Sequence, residues 1–319
     1  MTGTTACGVN TAHVSSILRG VPGATERSLA LKQFYPWRLM QLITLFEEEE
    51  GSRSNVLSEK LSALYGGPLD FYSPKKERPL IVGNFVQTLD GIISWKIPGW
   101  SSGGAISGSN AEDRFIMALL RSCADAVMVG AGTLRDDPGH VWTPDFIYPN
   151  LGQDCTNLRR HLGKSRHPLN VIVSGSGRID LRETVFSAEG VKTVILTTRQ
   201  GNERLEHDYG KALAGVTEVR VLPGEEALDP RDISSILHTE YGTDLILNEG
   251  GSQLFSAFLR ARLCDELFLT VAPQIGGNLT PRPHFAEWAS FGPSDAPSCS
   301  LITVKRPARG SHLYLHYRF

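Results

Sequence analysis

The chain has 319 residues, 41% of them hydrophobic and 21% charged, with a formal net charge of −2. These values exclude a collagen-like, disordered or supercharged chain and leave no basic footprint for nucleic acid. The apolar runs stop short of the ~18–20 residues that a membrane span needs.

Cys7, Cys123, Cys155, Cys264 and Cys299 are odd in number and show no CxxC spacing, which argues against a disulfide framework or a zinc knuckle. Residues 1–19 lack a basic-then-apolar leader pattern, so a reduced, cytoplasmic setting is the expectation. Residues 1–35 carry no period and read as a loose arm. Leu39, Leu42, Ile43 and Phe46 stand at i, i+3, i+4, i+7 spacing and predict a helix over 36–50, closed by the acidic run 47–50 and Gly51. A second short helix fits 55–65, before the break at Gly66-Gly67-Pro68. On this reading 1–77 is a partly helical extension and the main domain spans 78–319.

From Arg78 onward short apolar strands alternate with helices. Strands are predicted at 80–86, 126–129, 169–173, 193–197, 217–222, 245–247 and 267–271, several as unbroken apolar runs suited to burial on both faces. Ser109-Asn110-Ala111-Glu112 reads as a capping box opening a helix through Phe115, Ile116, Leu119, Leu120 and Cys123. Asp229-Pro230 opens another, and Ser252 precedes a third. After Val271 the glycines and prolines predict a long loop, followed by a hairpin of strands at 300–305 and 312–319. The class is α/β, with a mostly parallel, mixed sheet.

Ligands of such sheets gather beyond the carboxyl ends of the strands. Gly130-Ala131-Gly132-Thr133 follows a strand there; its glycines permit close backbone approach, although Arg135 stands where a dinucleotide fingerprint needs its third glycine. Glu249-Gly250-Gly251-Ser252 leads from a strand into a helix, whose free amides suit phosphate. Ser174-Gly175-Ser176-Gly177-Arg178 offers hydroxyls and a guanidinium suited to an adenosine 2′-phosphate. Asp90, in a Leu-Asp-Gly turn, is a carboxylate able to bind a ring amide or steer a proton, and Arg121 ends the capped helix as a candidate anion ligand. Each also has a plain structural reading: a glycine turn, an Asp-Gly turn, or a cation favouring a helix C-terminus. Other chemistries fit less well. Leu254 replaces the last glycine of a nucleophile elbow, no phosphate-binding GxxxxGK[ST] occurs, and His312 and His316 lie in a strand pattern without a third ligand.

Taken together, Thr88-Leu89-Asp90-Gly91, Leu119-Leu120-Arg121, the run from Ala124 to Thr133 with Asp136-Asp137-Pro138, and Asn248-Glu249-Gly250-Gly251 running to Leu267 resemble the reductase domain of riboflavin biosynthesis. That resemblance implies a dihydrofolate-reductase-like, three-layer α/β/α fold, NADPH as hydride donor, and 5-amino-6-(5-phosphoribosylamino)uracil or a related pyrimidine as substrate. It implies Gly132, Thr133, Asp137, Ser174, Ser176, Arg178, Gly250, Gly251, Ser252 and Gln253 as cofactor ligands. Arg121 and Glu249 would face the substrate, in a chain expected to be a homodimer. As the acids at strand tips in these segments, Glu249 and Asp90 are the expected catalytic residues, Glu249 orienting the substrate and Asp90 assisting proton delivery. The deaminase signature that often accompanies this domain is absent from the sequence. The family's Leu-Thr-x-Arg after Asp-Asp-Pro is also missing, which leaves Arg159, Arg160 and His140 as candidates to replace its phosphate-gripping Arg. A same-fold NADPH reductase for a pterin or folate and a non-catalytic NADP-binding protein are the alternatives.

Overall fold

A computed structural model describes residues 41–48, 54–71, 77–97, 103–277 and 281–319, all of which fall in one compact unit, Leu39–Phe319. The loose arm expected over 1–35 lies outside the described residues. The elements are, in chain order, β1 (Leu42–Glu47), α1 (Glu59–Tyr65), β2 (Leu80–Gln87), α2 (Gly103–Ser107), α3 (Ala111–Cys123), β3 (Ala126–Gly130), α4 (Ala131–Asp136), α5 (Pro144–Ile147), α6 (Gly152–His161), β4 (Leu169–Ser174) and β5 (Thr193–Thr197). They continue with α7 (Arg199–Tyr209), α8 (Leu213–Val216), β6 (Glu218–Val221), α9 (Pro230–Tyr241), β7 (Leu245–Asn248), α10 (Ser252–Arg260), β8 (Glu266–Val271), β9 (Ser300–Pro307) and β10 (Leu313–Arg318).

The strands form one ten-stranded sheet in the order β1-β9-β10-β8-β2-β7-β3-β4-β5-β6. Strands β8, β2, β7, β3, β4, β5 and β6 run parallel, and β10, β9 and β1 add an antiparallel edge. The mixed sheet and its closing hairpin match the sequence expectation. Both faces are covered. Phe115, Leu119 and Leu120 of α3 and Leu61 of α1 pack on one, while Ile233 and Leu237 of α9 and Phe255 and Phe258 of α10 pack on the other. Central strands are consequently buried on both sides, which is why they read as continuous apolar runs. Among the described residues no helix is long and apolar enough to cross a membrane.

Two local expectations are corrected. The helix expected over 36–50 is strand β1 where it is described: Leu42 to Glu47 pair antiparallel with Pro307 to Thr303 of β9. A register shift between Thr44 and Phe46 breaks the alternation of side chains, so the apolar spacing imitates a helical stripe. The capping box is displaced by one residue. Asn110, not Ser109, caps α3, its Oδ1 accepting from Asp113 N at 2.8 Å, while Ser109 takes a left-handed φ of 56°. Asp229 caps α9 as expected, with Pro230 in the first turn.

Candidate active site

The parallel strands bring the segments that follow β2, β3, β4 and β7 to one sheet edge. Glu249 N donates to Met128 O of β3 at 3.0 Å. A Cβ built on Gly251 would lie 3.3 Å from Thr133 Oγ1 of α4. Arg135, also on α4, donates through Nη1 to Arg178 O at 3.0 Å, and Lys96, beyond β2, pairs with Asp136 at 2.5 Å. The stretches 130–137, 174–178 and 248–253 are therefore contiguous, as the strand-end reading required.

The corner at α10 has the chemistry to accept an anion. Gly251 is the N-cap and makes no side-chain capping bond, so the first amides of α10 lack the usual hydroxyl or carboxylate partner. Helix N-termini in this state bind phosphate through N–H groups and partial positive charge. Gly250 N is instead spent on Asn248 Oδ1 at 3.0 Å, which holds the turn. The helix itself is drawn close to the sheet, because a Cβ at Gly83 of β2 would lie 2.5 Å from the Phe255 ring. Nearby, Ser252 Oγ donates to Glu287 Oε2 at 3.3 Å.

Beside this corner lies a buried polar chain. Glu249, its side chain 6% exposed, pairs with Arg121 from the last turn of α3, which has no exposed surface. Arg121 Nη2 donates to Glu249 Oε2 at 2.7 Å and Nε to both carboxylate oxygens at 3.2 and 3.3 Å. Nη2 also meets His140 Nε2 at 3.0 Å, and Nη1 reaches Thr143 O at 3.2 Å and Val141 O at 3.5 Å. A guanidinium has five N–H donors, and these partners engage all of them. Arg121, expected to face substrate, spends these donors on Glu249, His140 and the carbonyls of Val141 and Thr143. Asn84 Nδ2 adds a bond to Glu249 Oε1 at 3.2 Å.

The other expected residues have the following positions. Asp90 accepts from Thr88 Oγ1 at 2.6 Å, Gly276 N at 3.0 Å and Gly277 N at 2.8 Å. Those donors, the Thr88 hydroxyl foremost, lower its pKa to about 2. The carboxylate anchors the loop after β8, and those bonds favour its ionised form. Ser174 is buried, whereas Ser176 and Arg178 are exposed on the turn after β4. Gly132 and Gln253 are exposed and Thr133 is half-buried. Asp137 accepts from His140 Nδ1 at 2.8 Å, with its side chain still 39% exposed.

Of the three candidates to replace the missing phosphate-binding Arg, Arg159 is excluded by its position. It is buried and donates to Arg121 O, Ser122 O, Ala124 O and Ser165 O, closing the C-terminus of α3. Arg160 is exposed and bonds Asn157. His140 alone touches the site. Trp142, two residues on, belongs to the core beneath α3, and its backbone is stapled to Asn170 of β4 by bonds of 3.0 and 3.2 Å. Asn84 was missed by sequence reasoning; the signal was an amide side chain inside the otherwise apolar run 80–86.

The RibD C-terminal domain model matches residues 79–290. A 2,5-diamino-6-ribosylamino-4(3H)-pyrimidinone 5′-phosphate reductase of Archaeoglobus fulgidus is 31% identical over 235 residues, covering 73% of this chain and 95% of the relative. A protein of the same name from Methanothermobacter thermautotrophicus is 30% identical over 202 residues, covering 63% of this chain and 80% of its own length. The solved structure of a pyrimidine reductase-like protein from Corynebacterium diphtheriae superposes with a TM-score of 0.60 at 21% identity, covering 83% of this chain and 98% of that one, a likeness of fold. The chain therefore belongs to the RibD C-terminal domain family, the pyrimidine reductases of riboflavin biosynthesis.

Proposed function

We propose that the chain is an NADPH-dependent reductase that converts the ribosylamino group of a phosphorylated aminopyrimidine to its ribitylamino form. The substrate is 5-amino-6-(5-phosphoribosylamino)uracil, as the sequence resemblance implies, or its undeaminated counterpart, the pyrimidinone named for the relatives. One observation carries this reading: an uncapped helix N-terminus stands beside Thr133 and next to a buried, doubly anchored carboxylate at Glu249.

The residues present fit a dinucleotide. The N–H groups of Gly251, Ser252 and Gln253 would hold its diphosphate with Gly250 keeping the turn, Gly132, Thr133 and Asp137 would line its path, and Ser174, Ser176 and Arg178 would take the adenosine 2′-phosphate. When bound, reduced nicotinamide supplies hydride to an imine-type carbon of the opened sugar. This chain contributes position and charge. Glu249, fixed by Arg121 and Asn84, accepts a hydrogen bond from a pyrimidine N–H and so orients the reacting carbon. The amine nitrogen formed on reduction takes its proton from water, because Asp90 is ionised.

The test is NADPH consumption with each pyrimidine, with dihydropterin and with dihydrofolate, alongside separate titrations of NADPH and NADH. Turnover on a pyrimidine with preference for NADPH supports the proposal. Turnover only on a pterin or folate, or binding without any turnover, overturns it. Homodimer formation is part of the same reading, and light scattering at twice the chain mass is its expected outcome.

A further inference from the structure

The loop between α4 and α5 places one histidine where it governs the Arg121–Glu249 pair. The His140 ring is buried, flanked by Trp142 and Phe146 at centroid distances of 4.9 and 4.8 Å. Its Nε2 faces Arg121 Nη2 at 3.0 Å. A guanidinium donates and never accepts, so Nε2 must be the bare, accepting nitrogen. The proton of the neutral ring then lies on Nδ1, which faces Asp137 Oδ2 at 2.8 Å. The chain Asp137–His140–Arg121–Glu249 is thereby directional, and the fifth Arg121 N–H is satisfied only while His140 is neutral.

We propose that His140 is a positioning residue, whose Nδ1–H tautomer completes the partners of Arg121 and so fixes the Glu249 carboxylate in the orientation that engages substrate. The inference rests on the reading of Glu249 given above. The charged groups facing the ring are Asp137 at the end of α4, Arg121 on α3 and Glu249 after β7, with Trp142 and Phe146 supplying apolar faces. Burial lowers the pKa of His140 below the ordinary histidine value, the effect of Asp137 opposing it. The ring is neutral at neutral pH. A proton on Nε2 would set two cationic donors against each other 3.0 Å apart. The positioning is therefore complete above the unfolded value near 6.5 and is lost as pH falls through the lower folded value.

Two variants and one spectroscopic measurement test this. His140→Phe keeps a flat ring between Trp142 and Phe146 but offers Arg121 no acceptor, whereas the carbonyl of His140→Gln can stand in for Nε2. The expected result for His140→Phe is a roughly ten- to hundredfold loss in kcat/KM, carried by KM, with NADPH affinity within about twofold of the parent. His140→Gln recovers activity to within about fivefold and loses the acid limb of the kcat/KM profile. Imidazole nitrogen NMR of the free protein at neutral pH reads His140 as protonated on Nδ1 alone. An Nε2–H tautomer, an unchanged kcat/KM in His140→Phe, or an equal loss of NADPH affinity in that variant would overturn the proposal. If His140→Phe fails to fold, the glutamine variant and the tautomer decide it. If the parent turns over no pyrimidine, the functional reading fails by itself, and the tautomer still decides the geometry of the ring.

Discussion

Neutralising Glu249 tests whether the buried pair behaves as one unit. The carboxylate takes three contacts from Arg121, at 2.7, 3.2 and 3.3 Å, and the guanidinium has no exposed surface through which water could replace them. Glu249→Gln preserves the shape but leaves one acceptor oxygen and turns an NH2 toward N–H donors. Breaking a buried pair by removing one charge costs about 3–5 kcal/mol. The retained carbonyl puts this variant near the lower end, at about 3 kcal/mol. Arg121→Met strands a carboxylate that is 6% exposed with Asn84 as its remaining donor, at a cost of about 3–5 kcal/mol. The double variant contains neither stranded charge. Its total loss is expected at about 3–4 kcal/mol, against a sum of about 6–8 for the single changes, a coupling of at least about 2 kcal/mol. Urea unfolding of all four proteins, followed by circular dichroism, measures it. A coupling below about 0.5 kcal/mol would refute the reasoning and make Arg121 and Glu249 independent neighbours.

The remaining predictions concern the proposed dinucleotide corner and its supports. Gly251→Val places a branched side chain against Thr133 Oγ1 and across the uncapped amides; NADPH affinity measured by fluorescence titration should fall at least about tenfold while the melting temperature stays within a few degrees. Arg178→Ala should weaken NADPH about tenfold and leave NADH unchanged in the same titration, since a lost contact to the 2′-phosphate affects only the phosphorylated cofactor. Glu287→Gln should tighten NADPH by about two- to threefold at low salt, because its carboxylate lies against Ser252 at the anion corner. Asp90 has a folded pKa of about 2, so its stabilising bonds to the 276–277 loop are present above the unfolded value near 3.9 and lost as pH falls toward 2. Asp90→Asn should flatten the stability curve in that window and leave the kcat profile above pH 5 unshifted, a result an essential acid could not give.

The central strands were legible because helices cover both faces of the sheet, and strands such as β5, buried throughout, must read as apolar runs. Strand β1 was not, because the shift between Thr44 and Phe46 destroys the period of two and its partner β9 lies some 260 residues away in the sequence. The cap of α3 moved by one because Ser109 adopts a left-handed backbone, which no residue-type pattern discloses. The strand-end segments were located by the rule that places ligands there, and Glu249, Gly251 and Thr133 came together as that rule requires. What sequence does not carry is how a side chain spends its hydrogen bonds. Arg121 had the right chemistry for a phosphate, but its five donors are taken by groups 19 to 128 residues away. Asp90 had the right chemistry for a proton donor, yet the Thr88 hydroxyl and two amides from the 276–277 loop favour its ionised form.

The central claim is that a dinucleotide lies with its diphosphate on the α10 N-terminus and its reactive ring beside Glu249. A crystal structure with NADP bound measures this directly. The account predicts diphosphate oxygens within about 3 Å of the Gly251, Ser252 and Gln253 nitrogens, with Glu287 withdrawn from Ser252 and the nicotinamide against Glu249. A cofactor bound elsewhere, with those amides untouched, would contradict it.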